Sequence, residues 1–346
     1  MQVAIISMLV CVVLILLLRK VAHWLDFMDH PAELKQHEHP TPPVGGLAMF
    51  TAILAVLFFS GRLTGNVEIL MICATILVLL GIWDDKHNLP VSMRMLIQVF
   101  LVLVVIVGAH GTIRHLGGLF GIDIQLGMLA IPFSVIAFVG GINAINMIDG
   151  ADGVAGFMVL ITTIGAGSIF YLAGDVNPLP LVWAMMGALI GFLVLNSRFC
   201  VKRAWIFMGN AGSLWLGLVL GWFMAQVTRG PVSAEPALVL WLFGIPLLDT
   251  LTVMVRRVRQ KRSPFSGDRT HIHHVLEWHS YSPKRMLVVL ILVQSLLNMI
   301  GVLLYVSHAP GYVVFWSFVL LMAGYFYRLR HFSEAGLSGE MKNIVS

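Results

Sequence analysis

Charge is scarce in this chain. Asp, Glu, Lys and Arg make up 11% of its 346 residues, against about 25% in a typical soluble domain. Hydrophobic residues reach 58% and the mean hydropathy is +0.90. Those values exclude the two or three soluble domains that this length would ordinarily suggest and require an integral membrane protein. Cysteine is nearly missing too. Cys11, Cys73 and Cys200 lie within or at the ends of apolar runs, with no metal-ligand spacing, so they read as small core residues and no disulfide is expected. No internal repeat and no low-complexity tract is visible. The N-terminal apolar stretch lacks a basic n-region and an A-x-A site and ends in Arg19-Lys20. It is therefore expected to be a retained first helix, not a cleaved signal peptide.

What the chain has in abundance is apolar runs long enough to span a bilayer, which takes roughly 20 residues. Eleven are expected, at about 3–18, 44–60, 68–83, 91–108, 124–142, 154–173, 179–196, 209–227, 236–255, 286–306 and 311–328. The fold class expected is an all-α polytopic membrane protein: one integral-membrane domain over 1–330, then a polar tail over 331–346. With that partition, five connections carry only Arg62, Arg114 and Arg229, and all the other Lys and Arg residues fall on the opposite side. Basic residues flank the cytoplasmic side of membrane proteins. The N-terminus is therefore expected outside and the C-terminus inside, with cytoplasmic loops 19–43, 84–90, 143–153, 197–207 and 256–285. The net charge of +5 is assigned to this bias and to attraction for acidic lipid and phosphate, with no nucleic-acid partner. Pro246, just before Asp249, makes the ninth span the one expected to bend.

The acidic, amide and histidine clusters all lie on the basic side. Asp84-Asp85 closes the third run, where the negative end of the helix macrodipole disfavours anions. The pair is either a solvated helix end or a site that draws a metal or a basic side chain. Asn143, Asn146 and Asp149 recur every third residue and share one helical face, followed by Asp152. Their stripe suits either an interhelical polar seam or the oxygen ligands of Mg²⁺. Asn210 opens the eighth span, as a plain N-cap or as part of a phosphate site. Asp249 sits inside an apolar run, where a charge is costly; it serves a structural ion pair with Arg256 or Arg257, or an active site. Arg269, His271, His273 and His274 follow a basic run on the longest loop. No Cys or Glu at matching spacing completes a zinc site, so donors to phosphate or a nucleotide are the better reading.

Taken together, these segments resemble the polyprenyl-phosphate N-acetylhexosamine-1-phosphate transferases. The resemblance runs from Asp29-His-Pro31 through Pro43-Val-Gly-Gly46, Asp84-Asp85, Asn143-x-x-Asn146-x-x-Asp149-Gly-x-Asp152, Met208-Gly-Asn210-Ala-Gly-Ser213 and Ile245-Pro-Leu-Leu-Asp249 to Ser263-Pro-Phe-Ser…His271-Ile-His-His274. The last segment is similar to the branch (WecA type) that moves GlcNAc-1-phosphate from UDP-GlcNAc onto undecaprenyl phosphate and releases UMP. The phospho-MurNAc-pentapeptide branch of peptidoglycan synthesis tends instead to carry three consecutive histidines.

The resemblance implies a multi-pass enzyme of the bacterial cytoplasmic membrane that begins a surface polysaccharide such as O-antigen. It implies Mg²⁺, with Mn²⁺ as a substitute, near Asp85, Asn146 and Asn210. Asp84, Asp85, Asp149 and Asp152 would be the catalytic carboxylates. Asn143, Asn146, Asp249, Arg269, His271, His273 and His274 would hold substrate, with Arg94 on the lipid phosphate. Family members usually carry Asp where this chain has Asn210, which leaves a natural variant, an inactivated form and an altered activity all open. The competing classes are a transporter and a catalytically impaired scaffold. Transporter sites lie near the midplane between repeated halves, whereas these acids cluster at helix ends. Helix association through Gly212, Gly217 and Gly221 would allow a homodimer.

Overall fold

A computed structural model describes residues 1–30, 39–229, 234–261, 263 and 271–345, with side chains through 328. Arg269, Asp268 and the tail side chains beyond 328 lie outside the described residues. The chain is all-helical: α1 Gln2–Trp24, α2 Gly45–Phe59, α3 Asn66–His87, α4 Val91–Gly108, α5 Ala130–Ile148, α6 Val154–Leu172, α7 Leu179–Asn196 and α8 Gly209–Val227. There follow α9 Leu238–Leu242, α10 Gly244–Arg259, α11 Ile272–Trp278, α12 Pro283–Val306 and α13 Gly311–Val345. Among the described residues β-structure is limited to two isolated bridges, Asp29 with Thr41 and His115 with Gln125. Seven helical segments are long and apolar enough to cross a membrane, and they make this a polytopic membrane protein.

Helix α8 is not one of the seven, although nearly all of its residues are buried. It is the central post. Its glycines let neighbours approach at backbone distance: a Cβ on Gly46 or Gly81 would collide with the backbone of Gly212 or Ala211, and one on Gly217 would come 2.6 Å from Ile142 Cα. A helix wrapped by protein needs less hydropathy than one facing lipid, because packing supplies its contacts. The Gly212, Gly217 and Gly221 face is thus occupied by Gly46, Ile142 and Phe138 of the same chain. It offers no surface to a second copy, which removes the sequence basis for a homodimer.

Two expectations shift. Helix α5 runs Ala130–Ile148 rather than 124–142, because residues up to Gln125 form a bridged loop and Gly127–Leu129 a single 3₁₀ turn. Asn143 and Asn146 therefore lie on the helix and not in a loop. The ninth run breaks, as expected, but at Phe243, between α9 and α10. Pro246 has no N–H to give the carbonyl of Leu242. That carbonyl accepts instead from Thr162 Oγ1 at 3.0 Å, Gln294 Nε2 at 2.8 Å and Asn298 Nδ2 at 3.0 Å. Gln294 also accepts from the Ile245 amide at 2.8 Å. Polar side chains of α6 and α12 thereby replace the missing backbone partner, the condition on which a membrane tolerates a broken helix.

Candidate active site

The C-terminal end of α3 is delivered against the N-terminal end of α8. Gly209, at φ +70, makes the turn into α8, and a Cβ there would lie 2.6 Å from Asp85 Oδ2. Asp85 accepts from the backbone N–H groups of Asn210 at 3.0 Å and Ala211 at 3.4 Å. A carboxylate at the unfavourable end of one helix dipole is thus neutralised by the favourable end of another. Asp84, 2% exposed, accepts from Arg94 Nη1 at 2.8 Å, Asn210 Nδ2 at 2.9 Å and the Leu89 amide at 2.8 Å. The cation that the acidic pair demands is Arg94, on the first turn of α4. Arg94, expected to hold the lipid phosphate, is held here by Asp84.

Asn146 closes the cluster, its Nδ2 donating to Asn210 Oδ1 at 2.7 Å and Ser213 Oγ at 2.9 Å. Asp84 has only acceptors, so it fixes which way the Asn210 amide points. Asn143 faces another neighbour, donating to Gln98 Oε1 at 2.8 Å on α4 and packing against Met95. Helix α5 ends at Ile148, so Asp149 caps it and leaves the expected stripe. The Asp149 carboxyl is pushed up to about 7, first by burial and then by the negative charges of Asp85 and Asp152. Asp152 is paired with Arg198 Nε at 2.6 Å.

The histidine loop reaches the same place. Gly150 leaves room for the His273 ring, whose Nε2 a Cβ there would strike. His273 is 1% exposed, and neither ring nitrogen has a partner among the described residues. Burial first, then His274 and His271, hold its pKa well below the usual histidine range. Asp249 accepts from the Ile272 amide at 2.8 Å, and its Oδ2 lies 2.7 Å from His271 Nδ1. Of the two roles open to Asp249, an ion pair or a part in the active site, this contact fits the second: the carboxylate orients a histidine, as partners of ligand-binding imidazoles do. His274 contacts Glu277 at 3.2 Å.

Asp84, Asp85, Arg94, Asn146 and Asn210 form one bonded cluster, Asp149 lies within electrostatic reach of Asp85, and His273 closes over Gly150. The sequence assigned no role to Gln98, Arg198 or Asn196, and Ser213 stood there only as the end of the Met208–Ser213 motif. Asn196 accepts from the Gly153 amide and donates to the Ile206 carbonyl, both at 2.8 Å, and so ties two site loops together. A polar residue closing the apolar run 179–196 was its only signal.

The sequence pattern of glycosyl transferase family 4 matches residues 67–228, which span α3 to α8 and hold Asp84, Asp85, Asn146, Asp149 and Asn210. Curated relatives extend the likeness over most of the chain. It is 32% identical to the undecaprenyl-phosphate alpha-N-acetylglucosaminyl 1-phosphate transferase of Salmonella typhi, over 92% of this chain and 88% of the relative. The protein of that name from Escherichia coli K12 is 32% identical over 90% and 86%, and that from Haemophilus influenzae 27% over 92% and 90%. The chain belongs to glycosyl transferase family 4. The family match stops at 228, so the Asp249–His271 pair and His273 are brought in by the longer alignment with the relatives.

The family resemblance implies a divalent metal near Asp85, Asn146 and Asn210, the residues that meet at the start of α8. Mg²⁺ takes oxygen ligands, one or two from protein carboxylates and the rest from phosphate and water; Asp85 brings a carboxylate to the Asn210 amide, and Asn210 Oδ1 accepts from Asn146 Nδ2. Among the described residues no group of three or more His, Cys, Asp and Glu is arranged to hold a metal, so any such site here relies on amide oxygens.

Proposed function

We propose that this protein transfers GlcNAc-1-phosphate from UDP-GlcNAc to undecaprenyl phosphate at the cytoplasmic face of the bacterial inner membrane. A phosphate oxygen of the lipid forms a bond to the β-phosphorus, the bond from that phosphorus to the bridging oxygen breaks, and UMP leaves with the electron pair. The reading is carried by the N-terminus of α8, where Asp85, Asn146 and Asn210 meet on a helix end that favours phosphate. Phosphoryl transfer is chiefly positioning and charge stabilisation. A lipid phosphate with a second pKa near 6 is mostly dianionic at neutral pH, so it needs orientation more than a base.

Each residue then has a task. Asp84 holds Arg94 and the Asn210 amide in place. Asp149, with a pKa raised to about 7, carries a proton part of the time and so limits repulsion of incoming pyrophosphate. His271, aligned by Asp249, and His273 above Gly150 grip the nucleotide pyrophosphate, with Arg269 joining them from the same loop. Mg²⁺, held by Asp85, Asn146 and Asn210, would neutralise charge on the pyrophosphate. Eleven spans, with α9 and α10 forming one, put the N-terminus outside and every one of these groups on the basic, cytoplasmic side.

Membranes containing the protein, given undecaprenyl phosphate, Mg²⁺ and either labelled UDP-GlcNAc or labelled UDP-MurNAc-pentapeptide, test the reading. Label is expected in the lipid phase from UDP-GlcNAc alone. Label from neither donor overturns the transferase assignment, and label from the second alone corrects the substrate.

A further inference from the structure

A second basic site lies apart from the bonded cluster. Arg19, His23, His39, Thr41, Arg203 and Trp205 line a cavity of about 270 Å³ between the C-terminal end of α1 and the loops before α2 and α8. Among the described residues no acidic side chain lines it. The Arg19 guanidinium rests over the Trp205 ring, 5.0 Å from its centroid, a contact that fixes the cation without neutralising it. Its Nε is shut from solvent and has no hydrogen-bond partner among the described residues. The pocket therefore holds a fixed guanidinium, a second arginine and two imidazoles, the donor set that takes a phosphate group.

Helix α1 says where that phosphate comes from. Ile5, Leu9, Val12, Leu16, Arg19 and His23 follow one another at alternating spacings of four and three residues and so form a single ridge. Ile5, Leu9 and Leu16 are exposed large apolar side chains, so the ridge is a lipid-facing track that ends in two basic residues. Trp24, 83% exposed, marks the interfacial level just beyond them. An acyl chain lying along the ridge brings its headgroup to the cavity, which a soluble phosphate would have no need of. Basic pockets between membrane helices hold acidic headgroups in this way.

We propose that this cavity binds the headgroup phosphate of an anionic membrane phospholipid. The site is also wired to the reaction centre. Phe207 donates to the Pro42 carbonyl at 2.9 Å, and Gly45 and Gly46 donate to Phe207 and Met208 at 2.9 and 3.0 Å. The two loops that wall the cavity are thus paired strand-like immediately before Gly209 and Asn210. A headgroup clamped between Arg19 and Arg203 braces the segment that presents the start of α8.

The full-length protein in phosphatidylcholine nanodiscs, with and without phosphatidylglycerol, provides the test, read by melting temperature and by native mass spectrometry of retained lipid. Phosphatidylglycerol is expected to raise the melting temperature and to be retained. The double variant Arg19→Gln, Arg203→Gln should bind it about thirtyfold more weakly, the equivalent of about 2 kcal/mol for two interfacial cations, while melting as before in phosphatidylcholine alone. If the double variant already melts lower there, the exposed Arg203→Gln alone carries the comparison. Equal phosphatidylglycerol retention by wild type and variant overturns the proposal. So does an equal rise with inorganic phosphate, which would make the site one for soluble anions, or a rise with undecaprenyl phosphate and not phosphatidylglycerol, which would make it a substrate site.

Discussion

The side-chain amide of Asn210 donates to Oδ2 of Asp84 over 2.9 Å. A carboxylate at 210 could not make that bond, since two ionised acids have no proton to share. Where relatives are expected to carry Asp, two acids would face each other across this gap and need a cation between them. In this chain an N–H fills the role. Asn210→Asp should therefore cost about 1–3 kcal/mol of stability in metal-free buffer, the penalty of an unmade buried hydrogen bond. Added Mg²⁺ should restore it, with tighter half-saturation of transfer than in the parent. Melting and turnover followed through one Mg²⁺ titration check both, and two superimposable curves would show that residue 210 is no ligand.

Arg94 is the cation of Asp84, and the two are unequally covered: the Arg94 side chain is 24% exposed and that of Asp84 2%. Removing one partner of a fully buried pair costs about 3–5 kcal/mol. The solvent-reaching arginine brings the expectation for Arg94→Ala to the lower part of that range. Asp84→Asn in the same background should recover most of the loss, because the stranded charge is gone. Chemical unfolding of the two variants and their combination measures the coupling, and strict additivity would argue against the pair.

Close approach to α8 is enforced by glycine. At Gly81 a methyl group has nowhere to go but into the Ala211 backbone, which moves the α3 end and Asp85 with it. Overpacking of this kind costs about 1–3 kcal/mol. Gly81→Ala is expected to lower transfer by more than its loss of stability accounts for, whereas Gly61→Ala, in open space at φ +65, should leave transfer unchanged. Activity assayed at matched folded fraction separates the two.

The sequence was most legible where chemistry and periodicity coincide. Every apolar run became helical, and Asp84, Asp85, Asn146 and Asn210 converged because the C-terminal ends of α3 and α5 meet the N-terminal end of α8. Partners across space were not legible. Nothing local says that Asp249 meets His271 or that Arg94 folds back onto Asp84, since those contacts depend on helix rotation and on which glycine faces which neighbour. The bend in the ninth run shows the boundary. Pro246 announced it, yet Thr162, Gln294 and Asn298, which make it tolerable, lie on α6 and α12 and look like ordinary polar interruptions. Gln294→Leu should destabilise by about 1–3 kcal/mol and Leu297→Met, on the same helix, by less than about 1.5 kcal/mol, as thermal melts in one lipid would show.

His273 sets a pH limit on the histidine loop. Its folded pKa lies well below the usual value, through burial first and the neighbouring His274 and His271 second. In the unfolded chain it titrates near 6.5. Above that pH both states are neutral there and the full contribution to stability is present. As the pH falls below about 6.5 the unfolded state takes up a proton that the folded state refuses, so stability declines until the folded pKa is reached. A His273→Gln variant should lose this slope while keeping the stability of the transmembrane helices. Nucleotide-sugar protection against unfolding should weaken in the variant at pH 7, because the ring lies over Gly150 beside Asp149, where the pyrophosphate is proposed to sit. Melting curves between pH 5 and 8, with and without UDP-GlcNAc, test both statements; identical pH slopes in variant and parent would show that the buried imidazole is not the group being titrated.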